Sequence, residues 1–271
     1  LDPDKTAIKQ TTGASSKPLL RNPTAEPFNG HFDYRRVIGR LNYLEKCTRI
    51  DVTCTTHRCA RFVSKPNDVH GNAAKWIERY LVGTKDKGII MKPDQRKGFE
   101  VYVDASFVGD WDPETAEWDS ETAKSRMGYI FMFAGCPILC MSRVQSEVAL
   151  STTESENIAI SHATREVLPL IELVEELQDK GVIDQSVKPV MRCRIFDDNS
   201  GAVELATSVK SPKMRPRTKH INAKYHHFRQ QVQEGRILIK AIGTEDMLAD
   251  ILTKVVNEET LLRLRPQMMG W

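Results

Sequence analysis

The feature that most constrains this chain is a long amphipathic stretch, residues 151–177. Ile160, Ala163, Val167, Ile171, Val174 and Leu177 recur three or four apart, the spacing that lines up side chains on one face of a helix. Ser151-Thr152-Thr153-Glu154 has the S-x-x-E form of a capping box, so the helix starts here. Such a helix needs a layer to bury its stripe against. Strand-like runs flank it at 99–106, 127–134 and 137–142 on one side, with Gly135 at a turn, and at 192–197 and 237–242 on the other. The first three suit antiparallel pairing, and the last two, joined through helical crossovers, suit parallel pairing. The order predicts an α/β fold with a mixed five-stranded sheet.

Four carboxylates stand at the ends of these elements: Asp104 closing the first strand, Glu154 in the first helical turn, Asp198 after the fourth strand, and Asp250 in an amphipathic run over 244–255. Around them the chain reads Tyr102-Val103-Asp104-Ala105-Ser106, Ser151-Thr152-Thr153-Glu154-Ser155-Glu156, Asp198-Asn199, Lys219-His220-Ile221-Asn222 and Leu248-Ala249-Asp250-Ile251-Leu252-Thr253-Lys254. In kind and order these motifs resemble the ribonuclease H domain of copia-like LTR retrotransposon Pol polyproteins. The likeness runs from about Tyr34 to the C-terminus.

The resemblance implies a ribonuclease H-like sheet and an endonuclease that hydrolyses the RNA strand of RNA–DNA hybrids. It further implies a polymerase upstream in a longer polyprotein, a place in a cytoplasmic virus-like particle, and an element whose life cycle ends in DNA integration. Phosphodiester hydrolysis near neutral pH requires an activated water and a stabilised leaving oxygen, which two hard divalent ions about 4 Å apart supply when carboxylates hold them. By resemblance, Asp104 bridges two Mg²⁺ ions, with Mn²⁺ as a substitute, Glu154 and Asp198 complete one shell each, and Asp250 serves the more open ion. His220 corresponds to a mobile histidine that could carry a proton.

Neighbouring acids compete with these assignments. Strand alternation sends Asp197 and Asp198 to opposite faces, so only one shares the site. Glu156, two positions along the helix from Glu154, points elsewhere and reads as solvated. Asp197-Asp198 also mimics a polymerase Y-x-D-D motif, but Ile stands at 195 and residues 199–205 read as a helix. Between Glu204 and Glu234 the chain has no acid yet carries Lys210, Lys213, Arg215, Arg217, Lys219, Lys224 and Arg229. With a net charge of only +3 overall, that window is where a phosphate-gripping surface is expected. The acidic run Asp110, Asp112, Glu114, Glu117, Asp119 and Glu121 reads as a solvated loop.

Ahead of the ribonuclease H-like domain, placed at 93–256, residues 34–92 carry three short helical stripes. By resemblance they form a thumb or connection that grips the template-primer duplex. Residues 1–33 are polar and aperiodic and read as a linker, and 257–271 read as a C-terminal tail. Pro169 is expected to kink the long helix. Six cysteines without a paired framework read as reduced intracellular thiols; Cys54, His57 and Cys59 lack the second ligand cluster of a zinc module. No apolar run approaches the roughly 18 residues of a membrane span, no signal peptide opens the chain, and an N-terminal Leu1 suggests a piece of something longer. Two rival readings are a catalytically silent relic or tether that grips hybrid, and an integrase- or resolvase-like nuclease. The latter lack the Asp-Ile-Leu-Thr-Lys helix.

Overall fold

A computed structural model of the chain describes residues 7–94, 96–116, 119–183, 193–207 and 228–271. Its centre is a five-stranded sheet made of β1 (Phe99–Ser106), β2 (Arg126–Phe133), β3 (Cys136–Val144), β4 (Cys193–Asp197) and β5 (Ile237–Ala241), in the order β3-β2-β1-β4-β5. β1 pairs antiparallel with β2, which pairs antiparallel with β3. β4 runs parallel to both β1 and β5. This is the ribonuclease H-like arrangement, with strand bounds within two residues of those expected. Ala134 and Gly135 both take positive φ, 51° and 75°, to close the β2–β3 hairpin, and Gly135 does so without steric cost.

Alternation along the strands gives the sheet two faces, each buried. On one, Phe99, Val101, Val103 and Ala105 of β1, Tyr129 and Phe131 of β2 and Ile195 of β4 pack against the stripe Ala159, Ile160, Ala163, Val167 and Ile171 of helix α4, Thr152–Asp179 in its full extent. The helix runs unbroken through Pro169. That residue is exposed, on the side where helix carbonyls can tilt outward to water.

The opposite face carries Ile130, Met132 and Cys140, covered by α1 (Tyr34–Cys47), α2 (Thr53–Ala60) and α3 (Asp68–Gly83) together with the C-terminal residues. Residues 258–269 are therefore not a tail. They form a helix whose Leu261, Leu264, Met268 and Met269 are buried in this second core, and the helical segment and the sheet share that core. Residues 7–32 carry no regular helix or strand but are strapped to the helices: Trp76 Nε1 donates to the Thr11 carbonyl at 2.9 Å, Arg58 to the Ser16 and Lys17 carbonyls, and Phe28 N–H to the Pro66 carbonyl. All six cysteines are free thiols. Among the described residues no helix is long and apolar enough to cross a membrane.

Candidate active site

The carboxylates meet where β1 and β4 end and α4 begins. Asp104 lies two residues before the end of β1, opposite Gly128 of β2. The parallel neighbour β4 ends at Asp197, so Asp198 follows at the same end of the sheet. Ser151 caps α4 by accepting from the Glu154 N–H at 3.1 Å, which sets the first helical turn beside both strand ends. One carboxylate oxygen each from Asp104, Glu156 and Asp198 all lie within 4.8 Å of one another, the group of this kind found among the described residues.

Of the four carboxylates singled out in the sequence, that group contains Asp104 and Asp198, and its third member is Glu156, not Glu154. The Glu154 carboxylate turns back to accept from the Leu150 N–H at 2.9 Å, so it completes the cap. Glu156 is not solvated: it is 3% exposed. The reason lies in helical geometry, since residues two apart stand on roughly opposite sides. Extending the buried stripe Ile160, Ala163, Val167, Ile171 one turn backwards lands on Glu156, four before Ile160. This signal was present in the sequence.

Asp250 sits apart from the trio but beside it. The expected helix over 244–255 is a 3₁₀ turn, Thr244–Asp246, followed by the single α-turn Asp250–Thr253. That turn seats directly against β2 because position 128 is glycine: a Cβ there would stand 2.6 Å from Leu252 Cβ. Thr253 Oγ1 donates to Asp104 Oδ2, and Lys254 Nζ lies 2.7 Å from Asp250 Oδ1. Neither the close approach at Gly128 nor the Lys254 contact has a pattern in the sequence. Asp197 is fully buried and accepts the Asn199 N–H at 2.8 Å, while Asn199 Oδ1 accepts from Ala202 N–H at 2.9 Å. Asp197 thus pins the turn that presents Asp198.

Burial and mutual repulsion make Asp104, Glu156, Asp197 and Asp250 stronger proton holders than usual. Burial pushes Asp104 up, and the Asp198 charge adds to this against the pull of Lys254 and Thr253. Glu156 is driven well up by burial, then by Asp104 and Asp197. Asp197 rises to about 7, chiefly through burial, and Asp250 to about 6 through burial and Asp104. Burial works against the Lys254 ammonium, but Asp104 and Asp250 outweigh it and hold its pKa above normal. Glu156 Oε2 is buried with no hydrogen-bond partner. Three converging carboxylate oxygens, together with an orphaned oxygen on Glu156, fit a hard divalent cation, which would relieve both repulsion and desolvation.

His220, Lys210, Lys213, Arg215, Arg217, Lys219 and Lys224 lie outside the described residues. Arg229 stands in a helical stretch at 228–233 and is 7% exposed, so it is not part of an open cationic surface. The acidic loop is not simply solvated either. Asp110 and Asp119 are buried, with Arg58, Arg61 and Arg126 around the former.

The chain is 33% identical over 252 residues to a retrovirus-related Pol polyprotein from transposon RE2 of Arabidopsis thaliana, a match covering 93% of this chain and 16% of that polyprotein. It is 35% identical over 225 residues to the Pol polyprotein from transposon TNT 1-94 of Nicotiana tabacum, covering 82% of this chain and 15% of the relative. The chain thus spans about one-sixth of the length of these relatives. Among solved structures it is similar to LC11-RNase H1 in complex with RNA/DNA hybrid, at 17% identity and a TM-score of 0.34, over 57% of this chain and 92% of that one. No family model matches the chain.

Proposed function

Because this chain belongs to the copia-like retrotransposon Pol polyproteins, we propose that it is the part of such a polyprotein that hydrolyses the RNA strand of an RNA–DNA hybrid internally, with Mg²⁺ and with Mn²⁺ as a substitute. The observation that supports this most is the convergence of Asp104, Glu156 and Asp198 oxygens within 4.8 Å. These three would hold the metal, with Asp250 flanking them. When bound, a pair of divalent ions supplies an activated water and neutralises charge on the leaving oxygen.

The chain's own residues do the positioning. Thr253 fixes the Asp104 carboxylate from the far side of the sheet. Asp197 fixes the backbone turn under Asp198. Lys254 partly neutralises Asp250 and Asp104, so the acids can share a small volume before any metal arrives. His220 is proposed to carry a proton during product release, and Lys210, Lys213, Arg215, Arg217, Lys219 and Lys224 to grip phosphates. A polymerase upstream and residence in a virus-like particle belong to the same family reading.

The test offers the full chain an RNA–DNA hybrid, an RNA duplex and a DNA duplex, each with Mg²⁺ or with EDTA. Cleavage of the hybrid alone, abolished by EDTA, is expected. Hybrid binding without cleavage would make the chain a silent tether, and cleavage of DNA duplex would make it an integrase-like nuclease. For the basic segment, an Arg215, Arg217, Lys219 triple alanine variant should flatten the slope of log affinity against log salt by roughly one unit at most per lost contact. An unchanged slope would remove those residues from the interface.

A further inference from the structure

A polar cleft of about 280 Å³ opens beside the acidic centre, between α2 and the start of β2. Its lining includes Arg58, Ser106, Asp110, Arg126 and Lys254. We propose that this cleft is a second anion site, which takes one backbone phosphate of the bound nucleic acid close to the linkage being cut. The proposal rests on the hydrolase reading for its occupant, but the site itself is argued from charge and unused donors.

Three guanidinium groups crowd one carboxylate: Arg58 Nη2 lies 2.8 Å from Asp110 Oδ1, and Arg61 and Arg126 lie 3.3 and 3.6 Å from Oδ2. Arg61 also reaches to within 3.8 Å of Asp119, which has Arg21 at 3.6 Å. One carboxylate cannot neutralise Arg58 and Arg126 together, so positive charge is left over at the cleft. Arg126 is 3% exposed. Its Nη1 donates to Ser142 Oγ at 3.3 Å, but Nε and Nη2 have no hydrogen-bond acceptor. Buried donors left idle are costly, and a phosphate, all acceptor and anionic, is the chemistry that a guanidinium fork fits.

Lys254 links the two sites. Its ammonium pairs with Asp250 at 2.7 Å while its side chain, 44% exposed, also lines the cleft. A phosphate in the cleft would therefore lie within reach of the same lysine that steadies the acidic centre. Arg58 comes from α2, so the helical segment would contribute directly to substrate contact.

The test uses the full chain with Ca²⁺ and a set of hybrids in which one neutral methylphosphonate is moved along each strand. Affinity is measured for wild type, Arg58→Gln and Arg126→Met, with melting curves to confirm that each is folded. One linkage is expected at which neutralisation weakens wild-type binding about tenfold, within the range for a charged hydrogen bond, and has no effect in either variant. If every sensitive linkage is equally sensitive in the folded Arg58→Gln and Arg126→Met variants, the cleft holds no backbone phosphate. Inorganic phosphate, added separately, gives the other arm: Arg58-dependent binding of free phosphate without any variant-dependent linkage would also overturn the assignment. Loss of cleavage with the linkage effect intact would break the hydrolase reading alone, and intact cleavage without the effect would break the cleft alone.

Discussion

The sheet has two buried faces, and they are held by different means. The α4 face is held by an apolar cluster, from Val101 and Val103 to Phe131, Ile160 and Ile195, with enclosed charge confined to its acidic end at Glu156 and Asp197. The other face mixes its core with enclosed charge: Glu45 and Asp51 are 0% and 1% exposed, Arg49 pairs with Asp51 at 2.8 Å, and Arg265 reaches Tyr80 across 185 residues. Hydrophobic burial is non-directional and stabilises the first face by area alone. Enclosed ion pairs add little net stability, because desolvation offsets attraction, but a wrong partner is heavily penalised. The charged face therefore selects which helices dock, and the acidic centre draws on both sides: Glu156 comes with α4, Asp104 with β1 of the sheet, and Asp250 with the turn that seats on the other side.

The sharpest way to break this comparison is to damage each face separately. Ile195→Ala and Leu264→Ala, both at fully buried positions, should each cost about 2–5 kcal/mol, and each should shift one shared thermal transition. If Leu264→Ala instead melts in a separate early step that leaves the α4 face intact, the two faces are independent units. A smaller effect is expected at the seam. Gly128→Val should push the Asp250–Thr253 turn away from β2, costing about 1–3 kcal/mol in overpacking and reducing hybrid turnover by more than its stability loss explains. Turnover that tracks stability alone would mean that the close approach at Gly128 does not position Asp250.

The seam should also titrate. Asp250 and Asp197 have folded pKa values of about 6 and about 7, above the ordinary 3.8. Between the ordinary and folded values the native state binds more protons than the unfolded state, so metal-free stability falls as pH rises from about 4 through about 7, and Glu156, pushed up to about 11, extends the fall above that range. Melting temperatures in EDTA across that range check the slope, and added Mg²⁺ should recover most at the upper end. A metal-free protein that grows more stable from pH 4 to 7 would refute the repulsive cluster.

The α4 face was legible in sequence because two regular periods, near 2 for the strands and 3.6 for the helix, expose it directly. Asp104 and Asp198 were legible for the same reason, as ends of periodic runs. Much of the other face was not. Residues 258–269 carry a weak apolar stripe interrupted by Pro266, and their burial depends on helices more than 170 positions away. The strap at 7–32 is held by backbone carbonyls that accept from Trp76 and Arg58, contacts with no pattern in sequence. The acidic loop reads as solvated because its counter-cations, Arg58 and Arg61, lie some fifty residues upstream. The cap motif at Ser151–Glu154 is local and visible, and the family resemblance points to the same glutamate. The stripe that aims Glu156 at the strands shows only when Ile160, Ala163, Val167 and Ile171 are extended one turn towards the N-terminus.

The choice between those two glutamates is the centre of this account, and Mg²⁺-induced stabilisation measures it most directly. Glu156→Gln removes a converging oxygen charge and should abolish most of the rise in melting temperature on adding Mg²⁺, together with hybrid cleavage. Glu154→Gln should lower metal-free stability by no more than about 1 kcal/mol, as a weakened cap does, and keep both the Mg²⁺ response and cleavage. The reverse result, a Mg²⁺ response lost in Glu154→Gln and kept in Glu156→Gln, would contradict the placement of the acidic centre.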